Sequence, residues 1–169
     1  MTDRPALARA SRLGVPAVTP PVGHYRTRIK DESAWVDLLA SRGIGAVLLA
    51  GFMRRLHAPM LEAFPERILN IHPSLLPAFP GLDAIGRAFA HGARIVGCTV
   101  HVVRDGVDDG PIVGQAAVEV RDGDTLDTLT GRVHAAEHLL YPESVRRYFG
   151  GPHQLDGRRL VFPEETFHD

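Results

Sequence analysis

Residues 44–51 read IGAVLLAG and residues 67–72 read RILNIH. A continuous apolar run of this length, between turn signals, marks a strand covered on both faces. Helical patterns lie between and around the two runs. Residues 32–43, ESAWVDLLASRG, place Trp35, Leu38 and Leu39 on one stripe, with Gly43 as the C-cap. A short helix is expected near Pro59 to Phe64, and another over LDAIGRAFAHG (82–92), capped by Gly92. IVGCTVHVV (95–103) and PIVGQAAVEV (111–120) read as long strands, and their short connector RDGVDDG favours an antiparallel pair. Asp124 to Arg147 reads as a long helix interrupted at Pro142, and Asp156-Gly157 signals a hairpin within 153–162. Towards the N-terminus, residues 6–13 suggest a helix stopped by Gly14, residues 15–19 a short strand, and residues 23–30 a loop. Strands alternating with helices predict one α/β domain, with a mainly parallel sheet flanked by helices and an antiparallel edge. Ligands in such sheets lie beyond the carboxyl ends of the strands.

Composition narrows the function. The 169 residues carry a formal net charge of -1, against the strongly basic balance of a nucleic-acid binder. No apolar run approaches the roughly 20 residues that span a bilayer, and the N-terminus shows no apolar signal core. A cytoplasmic protein that binds neither nucleic acid nor membrane is expected. The one cysteine, Cys98, allows no internal disulfide and no multi-cysteine zinc site. The 19 basic residues are 18 arginines and Lys30, and Asn70 is the lone asparagine.

Asn70 and His72 end the strand RILNIH. Strand side chains alternate, so both point to one face, and Pro73 holds His72 extended. An amide can donate to a developing oxyanion, and an imidazole can move a proton near neutral pH. A polar strand end with a satisfied histidine is the competing reading. Asp108, in the loop RDGVDDG, could orient His72 and stabilise its imidazolium, although aspartate and glycine are also ordinary turn residues. Asp105 and Asp109 are rivals in the same loop. Arg54 and Arg55 follow IGAVLLAG at a carboxyl end, where they could meet an acidic ligand or face solvent. His134, Glu137 and His138 spell H-x-x-E-H, a zinc-protease spacing. The helical wheel puts Leu126, Leu129, Val133, Ala136 and Leu140 on the apolar stripe, Glu137 at its border and the histidines further round, which favours a solvated face. No metal is expected.

The blocks LLAGFMRRL, ILNIHPSLLPAFPGL, GCTVHVV with DDGPI, and EHLLYP resemble the phosphoribosylglycinamide formyltransferase family, in order and spacing, across roughly residues 6–162. N-x-H-P-S-L-L-P belongs to the wider group that uses 10-formyltetrahydrofolate. The resemblance implies a Rossmann-like sheet and transfer of a formyl group to the amine of 5-phosphoribosylglycinamide in purine synthesis. It implies that Asn70 stabilises the oxyanion, His72 transfers the proton and Asp108 supports His72. The folate would lie against Met53, Arg54, Arg55 and Leu56 and the loop after residue 103, with Arg28 associated with it. Glu137 would lie near the ribose of the amine substrate, with His134 at a position where glutamine is common. Asp109 stands where a small residue is usual.

The family also implies a first apolar strand and a glycine- and serine-rich turn that binds phosphate at a helix N-terminus. No such segment is present here. The resemblance therefore suggests an N-terminally shortened chain without the family's first strands, a bare apolar edge at IGAVLLAG, and weak affinity for the phosphorylated amine. Two other readings are a formyltetrahydrofolate hydrolase, or another folate-dependent formyltransferase, and a non-catalytic fragment.

Overall fold

In the computed structural model, residues 5–18 and 32–163 are described, and the chain falls into two units, Met1–Asp31 and Glu32–Asp169. In the first unit, α1 spans Pro5–Arg12, and Gly14 takes a left-handed φ of 65° just beyond it. Proline needs no amide partner at a first helical position, and glycine accepts the positive φ at the exit. Residues 15–18 form no strand, and the expected loop 23–30 lies outside the described residues.

The second unit holds α2 (Ser33–Ala40), β1 (Val47–Leu49), α3 (Ala58–Ala63), β2 (Ile68–His72), α4 (Ala84–Ala90), β3 (Ile95–Val102), β4 (Ile112–Glu119), α5 (Leu126–Gly150), β5 (Gln154–Asp156) and β6 (Arg159–Val161). Its sheet runs β1-β2-β3-β4-β6-β5. The pairs β1–β2 and β4–β6 are parallel, while β2–β3, β3–β4 and β5–β6 are antiparallel. The α/β architecture stands, but the antiparallel part begins at β2–β3 and so reaches further in than an edge. Three other expectations need correction. β1 is only three residues long and Leu48 is 50% exposed, so IGAVLLAG is not covered on both faces. α5 runs unbroken through Pro142. Leu126 is exposed rather than buried on the stripe of α5.

Strand alternation sorts the core into two layers. Leu69, Ile71, Cys98, Val100 and Val102 face one way and pack with Leu129, Val133 and Tyr148 of α5. Ile68 faces the other way, into Leu56, Met60 and Phe64, with Trp35, Val36 and Leu39 of α2 packed alongside. Burying each such large side chain contributes about 1.5–3 kcal/mol. Close approaches set two glycines. A Cβ on Gly97 would stand 2.0 Å from the Ala116 carbonyl oxygen, and one on Gly110 would stand 1.6 Å from that of Val102. Tyr141 on α5 ties the sheet together from outside, its hydroxyl lying 2.9 Å from the Leu49 oxygen and 3.0 Å from the Leu69 oxygen. Among the described residues no helix is long and apolar enough to cross a membrane.

Candidate active site

Asn70 and His72 leave β2 on the same face as Ile68, beyond the point where α3 covers that face. Because β1 and β2 run parallel, the segment after β1 sits at the same end of the sheet. The loop that follows His72 is fastened from below. Thr99 Oγ1 donates to the Ser74 carbonyl at 2.6 Å and accepts from Leu76 N at 3.0 Å and Gln115 Nε2 at 2.9 Å. Ser74 Oγ closes the turn on the Ala78 oxygen at 2.6 Å. Thus held, the loop presents the Phe79 carbonyl to His72, whose Nε2 donates to it at 3.0 Å.

Asp108 arrives from the β3–β4 connector. Its φ of 49° is a left-handed conformation that aspartate tolerates better than most residues. Gly110 permits the connector to close against β3. Asp108 Oδ2 accepts from Gly81 N at 2.8 Å and stands 3.3 Å from His72 Nδ1, while Oδ1 stands 3.5 Å from His101 Nε2. Contact with the His101 ring holds this carboxyl below the ordinary value, with the Gly81 amide and the charge of His72 adding to it against the cost of burial. Both nitrogens of His72 therefore face acceptors, a setting that the doubly protonated ring satisfies with two donors. The rivals are engaged elsewhere: Asp105 pairs with Arg55 at 2.8 Å and Asp109 with Arg158 at 2.6 Å.

Among the remaining expected site residues, Arg28 lies outside the described residues. Met53, Arg54 and Arg55 are exposed after β1. Leu56 is only 3% exposed and packs with Met60, Phe64 and Ile68. Its side chain belongs to the core, so only its backbone is left for a ligand. Glu137 lies on α5 with its carboxylate 3.9 Å from His134 Nε2. Burial raises Glu137 above the ordinary carboxylate range, and His134, His138 and His72 pull it back down. His134 and His138 are both exposed. Among the described residues no three potential ligands gather to hold a metal ion. His101 alternates with Thr99 and Val103 and reads as a hydrogen-bonded, half-buried strand histidine. It is hydrogen-bonded but fully buried, and the register of β3 against β2 brings it to Asn70.

The chain matches the formyl transferase family model over residues 2–145. It is 39% identical over 151 residues to the phosphoribosylglycinamide formyltransferase of Bacillus subtilis, covering 88% of this chain and 77% of that one. It is 42% identical to a segment of the human trifunctional purine biosynthetic protein adenosine-3, a longer protein of which it spans 15%. Among solved structures, glycinamide ribonucleotide transformylase 1 from Symbiobacterium toebii superposes with a TM-score of 0.89 at 48% identity, over 96% of this chain and 76% of that one. A formyltetrahydrofolate deformylase from Pseudomonas syringae superposes at 0.81, over 92% of this chain and 52% of that one; at 23% identity the likeness shows the fold alone.

Proposed function

The chain belongs to the formyl transferase family, and on that premise we propose that it moves a formyl group from 10-formyltetrahydrofolate to the amine of 5-phosphoribosylglycinamide, in purine synthesis. A single formyltransferase-like domain carries the reaction. One observation supports the assignment above the rest: an amide and an imidazole share one strand face, with a carboxylate from a distant connector 3.3 Å from the ring.

The residues around this end of the sheet suit a folate. The exposed side chains of Met53 and Val107 offer apolar contact for a flat ring, and Arg54 and Arg55, the latter already paired with Asp105, put positive charge at this end for a carboxylate tail. When bound, the folate supplies a carbonyl carbon open to attack by the amine. The chain's own groups do the rest. As the amine nitrogen bonds to that carbon, negative charge grows on the carbonyl oxygen, and the Asn70 amide donates an N–H to it. His72 adds positive charge beside the same oxygen and moves protons at Nε2, exchanging the Phe79 carbonyl for the reacting groups. Asp108 holds His72 Nδ1, so the ring keeps its orientation while Nε2 works. The proton lost by the amine ends on the folate nitrogen that leaves. Glu137 and His134 would meet the ribose of the amine substrate.

The test is a formyl-transfer assay with purified chain. His72→Ala is expected to abolish turnover and Asp108→Asn to lower kcat by roughly 10²- to 10³-fold, with folate binding retained. A His72→Ala variant at the parental rate would remove His72 from the scheme. Formate released equally fast without the amine would turn the reading to hydrolysis.

A further inference from the structure

The loop between β2 and α4 supports the reacting pair twice. The Phe79 carbonyl accepts from His72 Nε2 at 3.0 Å, and the Gly81 amide donates to Asp108 Oδ2 at 2.8 Å. Both supports are backbone groups, so they exist only while the loop keeps its shape. That shape is an uncomfortable one. Phe79 has a φ of 50°, Gly81 of 81° and Asp83 of 50°, three left-handed residues at alternate positions. Glycine takes such a φ freely, but phenylalanine does so only where its surroundings hold it.

The carbonyls of the two residues in between, Pro80 and Leu82, converge on a single donor. Arg87 Nη1 donates to the Pro80 oxygen at 2.6 Å and to the Leu82 oxygen at 3.2 Å. A guanidinium only donates and a carbonyl oxygen only accepts, so neither contact can run the other way. The guanidinium carbon also lies 5.8 Å from the centroid of the Phe79 ring, within cation–π range. Arg87 itself stands on a fixed base, because its helix, α4, is seated by the buried side chains of Ala84, Ile85 and Ala88. The cation thus clasps the loop on both sides of Gly81.

We propose that Arg87 is a positioning residue that holds loop 79–83 in the shape that fastens His72 and Asp108. The inference rests on the roles assigned to those two residues above. Asp108 is faced by His72 from β2, by His101 from β3 and by the Gly81 amide from this loop. Arg87 governs the last of these. Without the clasp the loop relaxes, Asp108 loses a donor, and His72 loses the carbonyl that aims its Nε2.

In the unsubstituted protein the Gly81 amide should exchange slowly with deuterium, as read by NMR. Free exchange of that amide would overturn the proposal. Arg87→Met keeps an apolar stem and removes the donors. It should speed Gly81 exchange roughly 10-fold and leave unchanged the Val120 amide, which is bonded to the Arg94 carbonyl at the far end of β4. It should lower kcat about 10-fold with KM for both substrates little changed. Arg87→Lys, whose ammonium can still donate to both carbonyls, should recover most of kcat. A merely structural role would lower the melting temperature and speed both amides alike, with kcat per folded molecule intact, and that result also overturns the proposal. The two failures separate. Asp108→Asn at the parental rate overturns the role of Asp108 and this inference with it. A crippled Asp108→Asn beside a fully active Arg87→Met overturns this inference alone.

Discussion

Asp108 combines a left-handed backbone with three close partners: the Gly81 amide, His72 and His101. Its carboxyl is held below the ordinary value of 3.8. A depressed carboxyl contributes stability that is present above its unfolded value and is lost as pH falls through its folded one. At pH 3.8 an unperturbed aspartate is half protonated; Asp108 should remain mostly ionised, as read by carboxylate ¹³C NMR. Asp108→Asn should lower the melting temperature at neutral pH, and the gap should close in stronger acid. At this scale the sequence was informative in places. The alternation of RILNIH and the brake of Pro73 placed Asn70 and His72 together without any structure. Asp108 ranks ahead of Asp105 and Asp109 as the partner of His72, but ordinary turn chemistry competes with that reading, because aspartate and glycine are common loop residues. Arg55 and Arg158 occupy the other two, a fact of folding rather than spacing. His101 reads in the sequence only as a hydrogen-bonded, half-buried strand histidine; its place beside Asn70 depends on which residue a neighbouring strand sets opposite it.

The elements show where pattern and tertiary contact part. Pro142 reads as a helix breaker, since it lacks an N–H and crowds the preceding turn. α5 nevertheless continues, because residues beyond it are anchored: Ser144 and Tyr148 are buried, and Tyr148 donates to the Glu66 carbonyl at 2.8 Å. Just before the proline, Tyr141 reaches the carbonyls of Leu49 and Leu69. Tyr141→Phe keeps the ring and removes this tie. It should cost about 0.5–1.5 kcal/mol in urea unfolding, with the loss falling where α5 holds β1 to β2. An unchanged midpoint would mean that packing alone fastens the helix. The reading of β1 failed in the other direction. IGAVLLAG is as apolar as a doubly covered strand, yet only Val47–Leu49 pair, and solvent reaches Leu48. Hydrophobic runs report what a segment can bury, not how much of it finds a neighbour.

For the whole molecule, sequence pattern gave the faces of the strands but not their order. Alternation says that Leu69 and Asn70 point apart; it does not say that β3 lies antiparallel beside β2, the arrangement that brings His101 to the site. Charge is spread in the same distributed way. Arg55, Arg94, Arg104 and Arg158 each meet an aspartate or glutamate at the surface, and exposed pairs of this kind contribute about 0–1 kcal/mol each. Cys98 is the exception to all this surface chemistry. It is fully buried between β2 and β4, and burial, with Glu137 adding, pushes its thiol up to about 11. A maleimide dye should therefore ignore the native protein at neutral pH, with mass spectrometry finding no adduct until the chain is unfolded. A single probe attached at Val107→Cys, on the exposed tip beside Asp108, would then be the only dye on the protein, and the movement of that tip could be watched in real time without first engineering the background clean.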